Sequence, residues 1–251
     1  SFLGSLFMTA SASRSTKAAL LVAGLGTRLR PLTDTTPKCL LPINGKPLLG
    51  IWFDKLLQAG VTEVLVNTHW LSGQVNAYVE KNTPEGLQVT LFHEPELLGS
   101  AGTIAANRAF FDEDPFFIIY GDNLSDVDLG DFNKAHQAFR PVMTLGTFEA
   151  EFPQNCGIAE IDSQGLVKSF IEKPKDPLSN CAAAGIYLAE PSIFNYFPAD
   201  HGGEQLDLGF DIIPRLVGNM RHYPINLLID IGTPANYQKA QQQLALDRAT
   251  A

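Results

Sequence analysis

The stretch "LVAGLGTRLRPLTDTTPK" ends an apolar run with Gly24, Gly26, Thr27, Arg28, Arg30 and Lys38, residue types whose spacing suits an anion. Gly24 and Gly26 allow positive φ and close backbone approach, so successive N–H groups can form a concave nest for phosphate oxygens. Arg28 adds a permanently charged bidentate fork, and Lys38 adds a mobile point charge. Together they fit a polyphosphate. The run is not a dinucleotide fingerprint, because GxGxxG needs glycine where Leu29 stands, and it lacks the GK[ST] ending of a Walker loop. A bare GxG after a strand would otherwise be a tight turn.

Two carboxylates also stand at the ends of apolar runs, Asp122 after "FFIIYG" and Asp230 within "LLIDIG". Taken singly, each reads equally as a turn or capping aspartate. Glu172 and Lys173, in "FIEKP", would alone be a solvated surface pair.

These residues need a scaffold, and the hydrophobic periodicity supplies one. "KAALLVA", "TEVLVNT", "LQVTLFH" and "PFFIIYG" read as strands. They alternate with helices at "PLLGIWFDKLLQAG", "SGQVNAYVEKN", "AGTIAANRAFF" and "LGDFNKAHQAF". This predicts an α/β, Rossmann-like three-layer fold around a mixed, mainly parallel central sheet. From about residue 141 to 225 the strands become shorter and more alternating, with a hairpin turn at "DSQG", which predicts a ligand-facing lobe. A helix near "GFDIIPRLVG", a strand pair through "MRHYPINLLIDIG" and a helix from Pro234 follow. Residues 17–251 are expected to form a single domain, large enough to bury roughly 70 to 75% of its unfolded surface.

The formal charge of -9 argues against general nucleic-acid binding, which needs clustered Lys and Arg. With 45% hydrophobic residues and no apolar run near about 18 residues, no membrane span is expected. Cys39, Cys156 and Cys181 are odd in number and widely spaced, so neither a disulfide framework nor a zinc site is suggested, and a reducing cytoplasm is expected. Residues 1–16 show no signal peptide; with Met8 internal after a serine start, they are expected to be a disordered tag remnant.

"GLGTRLRPLTDTTPKCLLPINGKPLL" closely resembles the signature GxGTRLxPLTxxxPK of the sugar-1-phosphate nucleotidyltransferases, the nucleoside diphosphate sugar pyrophosphorylases. "ELLGSAGT", "YGDN", "FIEKP", "AGIY", "FDIIP" and "IDIGTP" continue the resemblance in the family's order. It implies attack of a sugar-1-phosphate oxygen on the α-phosphorus of a nucleoside triphosphate, with pyrophosphate released. By the same resemblance the backbone from Gly24 through Gly26 to Thr27 and the Arg28 side chain hold the β and γ phosphates, Ala23 stands beside them at the nucleotide, and Lys38 reaches the α-phosphate. Asp122 and Asp230 become paired ligands of Mg²⁺, a hard ion suited to one or two carboxylates plus water and phosphate oxygens. Glu172 holds the sugar hydroxyls and Lys173 the sugar phosphate, with Gly157, Asn180 and Gly185 lining that pocket. Arg28, Lys38, Asp122, Lys173 and Asp230 thus form the implied catalytic set. A left-handed β-helix of the kind some relatives append is not expected, and a homo-oligomer stays open.

"HEPELLGSAGT" resembles the family's base-reading loop, placing Glu94, Glu96, Gly99, Ser100 and Gly102 at the nucleotide. Its "LGSAG" core is nearest the mannose-1-phosphate guanylyltransferases. A carboxylate can accept both donors of guanine's Watson-Crick edge, so Glu94 or Glu96 favours GTP, with mannose-1-phosphate or a related sugar phosphate. Ala23 stands where most of the family has the first of two adjacent glycines, Ala183 where guanylyl enzymes usually have asparagine and Cys156 in place of a common tyrosine, and "NTHWLSGQVNAYV" also resembles N-acetylmuramate-1-phosphate uridylyltransferases. A uridylyl- or thymidylyltransferase acting on another sugar-1-phosphate, a nucleotidyltransferase acting on a non-sugar phosphate, and a catalytically silent nucleotide-sugar-binding protein stay as alternatives.

Overall fold

The computed structural model describes residues 17–250; the expectation for residues 1–16 lies outside them. β1 (Lys17–Leu21) opens the chain and is followed by α1 (Leu32–Thr35) and a small ribbon of β2 (Pro42–Ile43) and β3 (Lys46–Pro47). α2 (Leu48–Gln58), β4 (Glu63–Thr68), α3 (Ser72–Asn82) and β5 (Gln88–His93) come next. α4 (Ser100–Ala106), α5 (Arg108–Phe111), β6 (Phe116–Tyr120), β7 (Asn123–Ser125) and α6 (Leu129–Phe139) complete the first half. The second half holds β8 (Met143–Glu149), β9 (Gly157–Ile161), β10 (Val167–Glu172), β11 (Cys181–Ala189), β12 (Met220–Pro224), β13 (Leu228–Asp230) and α7 (Pro234–Thr250).

β6, β1, β4 and β5 lie side by side and parallel, as the alternation of strands and helices predicts. β11 then runs antiparallel to β6 and carries β8, β9 and, through β9, β10, so the lobe extends one nine-stranded mixed sheet. Side chains alternate across this sheet. Ala18 and Leu20 enter one core with Trp52, Phe53 and Phe132, while Ala19 enters the other with Ile104, Phe116 and Leu208. Both faces are therefore covered, giving the three layers.

Helix limits follow local chemistry. α2 buries Leu48, Leu49, Trp52, Phe53 and Leu56 along one stripe, and the chain leaves it at Gly60 with φ 82°. α6 starts where the Asp128 side chain accepts from the Asp131 N–H at 2.9 Å. In the "DSQG" turn, Asp162 Oδ1 accepts from the Gln164 and Leu166 N–H groups at 2.8 and 2.9 Å, closing the β9–β10 hairpin.

Three elements differ from expectation. "AGTIAANRAFF" is two helices, because the Asn107 side chain turns back to donate to the Thr103 carbonyl at the break between them. The helix expected at "GFDIIPRLVG" is a π turn over Leu208–Ile212 followed by a 3₁₀ turn over Ile213–Leu216, where Pro214 supplies no N–H. β12 and β13 do not pair with each other; β12 joins β8 in parallel, and β13 joins the unanticipated β7. No helix among the described residues is long and apolar enough to cross a membrane.

Candidate active site

A cleft of about 530 Å³ opens beyond the ends of β1 and β6, where ligands sit in open α/β sheets. The cation-bearing segment forms one wall. Val22 N–H donates to Asn67 Oδ1 at 2.7 Å, so the end of β4 holds the start of this loop. Gly26 has φ 64°, and its carbonyl accepts from Thr33 Oγ1 at 2.6 Å. That left-handed bend turns the chain into the short 3₁₀ turn carrying Arg28. Trp70 Nε1–H donates to the Thr33 carbonyl at 2.8 Å, bracing α1 beneath it.

Asp122 and Asp230 meet because β7 and β13 pair, with Asp230 opposite Asn123. Lys38 Nζ donates to Asp122 Oδ2 at 2.8 Å and to Asp230 Oδ1 at 3.1 Å. Asp230 Oδ1 also accepts from the Gly232 N–H at 2.8 Å, and Asp230 Oδ2 lies 3.6 Å from Arg28 Nη2. A Cβ at residue 232 would lie 2.7 Å from Arg28 Nη2 and 3.1 Å from Lys38 Nζ, so a side chain there would push against the ends of both cations. Burial disfavours the charged Lys38 side chain, but the Asp122 and Asp230 carboxylates outweigh it and hold its pKa above the ordinary lysine value. Two carboxylates that share one cation offer hard oxygen ligands that could hold a divalent ion, with water and phosphate oxygens completing its shell.

On the opposite wall, Glu94 is 1% exposed. Its Oε1 accepts from Asn67 Nδ2 at 2.9 Å and from Thr103 Oγ1 at 2.5 Å, and its Oε2 accepts from the Leu98 N–H at 3.1 Å. The Glu94 carboxylate is thus engaged within the wall, where a base would compete with those donors. Glu96 is exposed and is not among the lining residues. Gly99 and Ser100 line the cleft, whereas Gly102 is buried in α4.

A strap from the lobe crosses this loop. The Leu206 carbonyl accepts from the Ala101 and Gly102 N–H groups, and the Leu206 N–H donates to the Leu98 carbonyl. Ser100 Oγ donates to Asp207 Oδ2 at 3.1 Å and accepts from the Leu208 N–H at 2.8 Å. Gly99, at φ 83°, lies against Leu206, whose carbonyl carbon would be 2.9 Å from a Cβ there. Asp207 caps the π turn by accepting from the Phe210 N–H at 2.9 Å, and Asp211 accepts from the Asp207 N–H at 2.7 Å.

That turn faces the lobe residues. The Glu172 side chain lies between Gly157 and Gly209, where a Cβ would come within 2.6 Å of Oε2 and of Cδ respectively. Burial first, and Asp207 second, push the Glu172 carboxyl above the usual range, with Lys173 opposing. Burial first, then Glu172 and Asp230, push up the Cys156 thiol, so the lobe edge feels a carboxylate of the first wall. Lys173 Nζ lies 5.9 Å from the centroid of the exposed Phe210 ring. Gly185 packs against Tyr120 and Asn123, and the exposed Asn180 reaches Glu149 Oε1 at 3.5 Å.

The structure therefore gathers Ala23, Gly24, Gly26, Thr27, Arg28, Lys38, Glu94, Gly99, Ser100 and Asp122 around one cleft, with Asp230 bonded to Lys38. Glu172 and Lys173 stand on the adjoining lobe, and Asn180 lies apart. Asn67, Tyr120, Gln205 and Asp207 also line the cleft. Sequence reading missed them, since polar residues at strand ends and in loops carry no local mark of function.

A family model described as "Nucleotidyl transferase" matches residues 17–246. The chain is 32% identical over 243 residues to the UTP–glucose-1-phosphate uridylyltransferase of Synechocystis sp. (strain PCC 6803), covering 89% of this chain and 62% of that protein. It is 29% identical over 228 residues to the mannose-1-phosphate guanylyltransferase catalytic subunit beta of Drosophila pseudoobscura pseudoobscura, covering 88% and 60%. The chain thus spans about three-fifths of the length of the curated relatives it matches. The crystal structure of HddC from Yersinia pseudotuberculosis complexed with GMP-PN superposes with TM-score 0.74 at 25% identity, covering 91% of this chain and 99% of that one.

Proposed function

Because the chain belongs to the nucleotidyl transferase family, we propose that its cleft joins a nucleoside triphosphate to a sugar-1-phosphate, releasing pyrophosphate. The convergence of Arg28, Lys38, Asp122 and Asp230 beside the Gly24–Thr27 backbone carries this reading.

A phosphate oxygen of the sugar-1-phosphate attacks the α-phosphorus. The bond from that phosphorus to its β-bridging oxygen breaks, and pyrophosphate leaves with the electron pair. Such transfers depend on positioning and charge neutralisation more than on covalent help from the protein. Backbone N–H groups of Gly24 to Thr27 and the Arg28 guanidinium receive the β and γ phosphates. Lys38 neutralises charge at the α-phosphate, Lys173 holds the sugar phosphate and Glu172 accepts from sugar hydroxyls. Asp122 and Asp230 would hold Mg²⁺, which when bound supplies charge stabilisation at the phosphates.

GTP with mannose-1-phosphate or a related sugar phosphate is the first pairing we assign. A uridylyl reading has its own support, because the internal bonds of Glu94 weaken the case for a guanine-reading carboxylate. The test is pyrophosphate release with Mg²⁺ from each of five triphosphates (GTP, UTP, dTTP, CTP and ATP) crossed against a panel of sugar-1-phosphates. Release from one pairing well above the others is the expected result. No release from any pair would remove the proposal, and brisk turnover of UTP or dTTP with GTP refused would change the base alone.

A further inference from the structure

The contact between Lys38 and the two aspartates does more than place a lysine near a phosphate. Lys38 Nζ bonds the oxygens that face each other across the space between Asp122 and Asp230, while Arg28 stands 3.6 Å from the second Asp230 oxygen. Two carboxylates are thereby matched by two cations. The Lys38 side chain is 9% exposed, so this arrangement is a packed part of the wall, whereas the Asp122 and Asp230 side chains remain 40% and 46% exposed. A bare divalent ion approaching Asp122 and Asp230 meets the positive charge of Lys38 and Arg28 and finds no net negative charge to draw it in.

We propose that Lys38 is a positioning residue for the metal site: it holds Asp122 and Asp230 together, excludes a divalent ion from the free protein, and yields the carboxylates when a triphosphate takes its ammonium. The inference rests on the proposed function and adds an order to it, in which the ion enters with or after the nucleotide. A polyanionic triphosphate supplies new partners for Lys38 and Arg28 and frees two carboxylates for the ion. The β7–β13 pairing brings the two carboxylates near each other, and the shared lysine offsets their mutual repulsion.

Mn²⁺ is the probe, titrated without nucleotide and followed by the paramagnetic resonance of the free aquo ion, with thermal melts alongside. The native protein is expected to bind Mn²⁺ weakly and to melt at the same temperature with or without it. Lys38→Met should bind Mn²⁺ about tenfold or more tightly, because the repelling ammonium is gone and two carboxylates are unpaired. It should melt lower than the native protein and recover when Mn²⁺ is added. Lys38→Gln, which keeps a polar end, repeats the measurement if the methionine variant does not fold. The gain should vanish in Lys38→Met combined with Asp230→Asn, a result that a merely structural role for Lys38 would not give. Equal Mn²⁺ affinity in native and lysine-free proteins, or a gain that survives Asp230→Asn, would overturn the inference. A native protein that releases no pyrophosphate from any substrate pair would remove the proposed function and leave this ion comparison standing.

Discussion

Replacing Glu94 by glutamine separates a base-reading carboxylate from one that builds the wall. In the native wall, both oxygens of a side chain 1% exposed accept from three donors: Asn67 Nδ2, Thr103 Oγ1 and the Leu98 N–H. Glutamine keeps one acceptor and turns the other into a donor. With its amide nitrogen toward Leu98, donor faces donor where the native bond is 3.1 Å. With the nitrogen on the other side, it faces the Asn67 amide. One charge-assisted bond is lost either way, and relief from burying a charge offsets part of it, leaving a net destabilisation of about 2 kcal/mol. For a chain of this size that lowers the melting temperature by about 4 to 8 °C. The assay pairs a thermal melt with the ranking of triphosphates by kcat/KM, and the ranking is expected to stay the same. An unchanged melting temperature with a switched base ranking would show that the carboxylate reads the base and that the bonds to Asn67 and Thr103 are incidental.

Three further outcomes are expected. Gly99→Ala should cost about 3 kcal/mol in chemical denaturation, because a Cβ at φ 83° runs into the Leu206 backbone. Phe210→Ala should raise KM for the sugar phosphate several-fold while leaving that for the triphosphate unchanged, with Phe210→Tyr restoring it, since the exposed ring flanks Lys173. Glu172 has a folded pKa above its ordinary value of 4.5, so its contribution to stability is present below that value and is lost as pH rises through the raised folded pKa. On the proposed role of Glu172 as acceptor of sugar hydroxyls, the ionised form binds better, so the KM for the sugar phosphate should fall as pH rises through the same point, and Glu172→Gln should flatten both profiles.

Local pattern was enough wherever one stripe or one cap decides an element. α3 and α6 begin and end where the apolar spacing places them, and the parallel centre of the sheet follows from alternating strands and helices. Partner choice was not local. β12 and β13 read as consecutive strands, yet their hydrogen bonds go to β8 and β7, which only the assembled lobe brings near. The π turn at Leu208–Ile212 escaped notice because the reciprocal bonds of Asp207 and Asp211 set its geometry, and a helix pattern does not register them. At the site, the cations and glycines after β1 were legible because their chemistry is unusual at a strand end. Asn67 was not, since an asparagine closing a strand commonly marks a turn, and its two-sided bonding to Val22 and Glu94 exists only once β1, β4 and the following loop are assembled.

The crossing of Leu206 over the segment from Leu98 to Gly102 bears on how such a protein can be re-engineered. A chimera that imports only the loop after β5 from a relative would seat a foreign loop against the Leu206 backbone and the Asp207 carboxylate, which in this chain hold Ala101, Gly102 and Ser100. The unit that packs as one piece is the loop together with Leu206, Asp207 and Leu208. Loop and strap would then be exchanged as one cassette, and relatives that differ in one should carry compensating changes in the other.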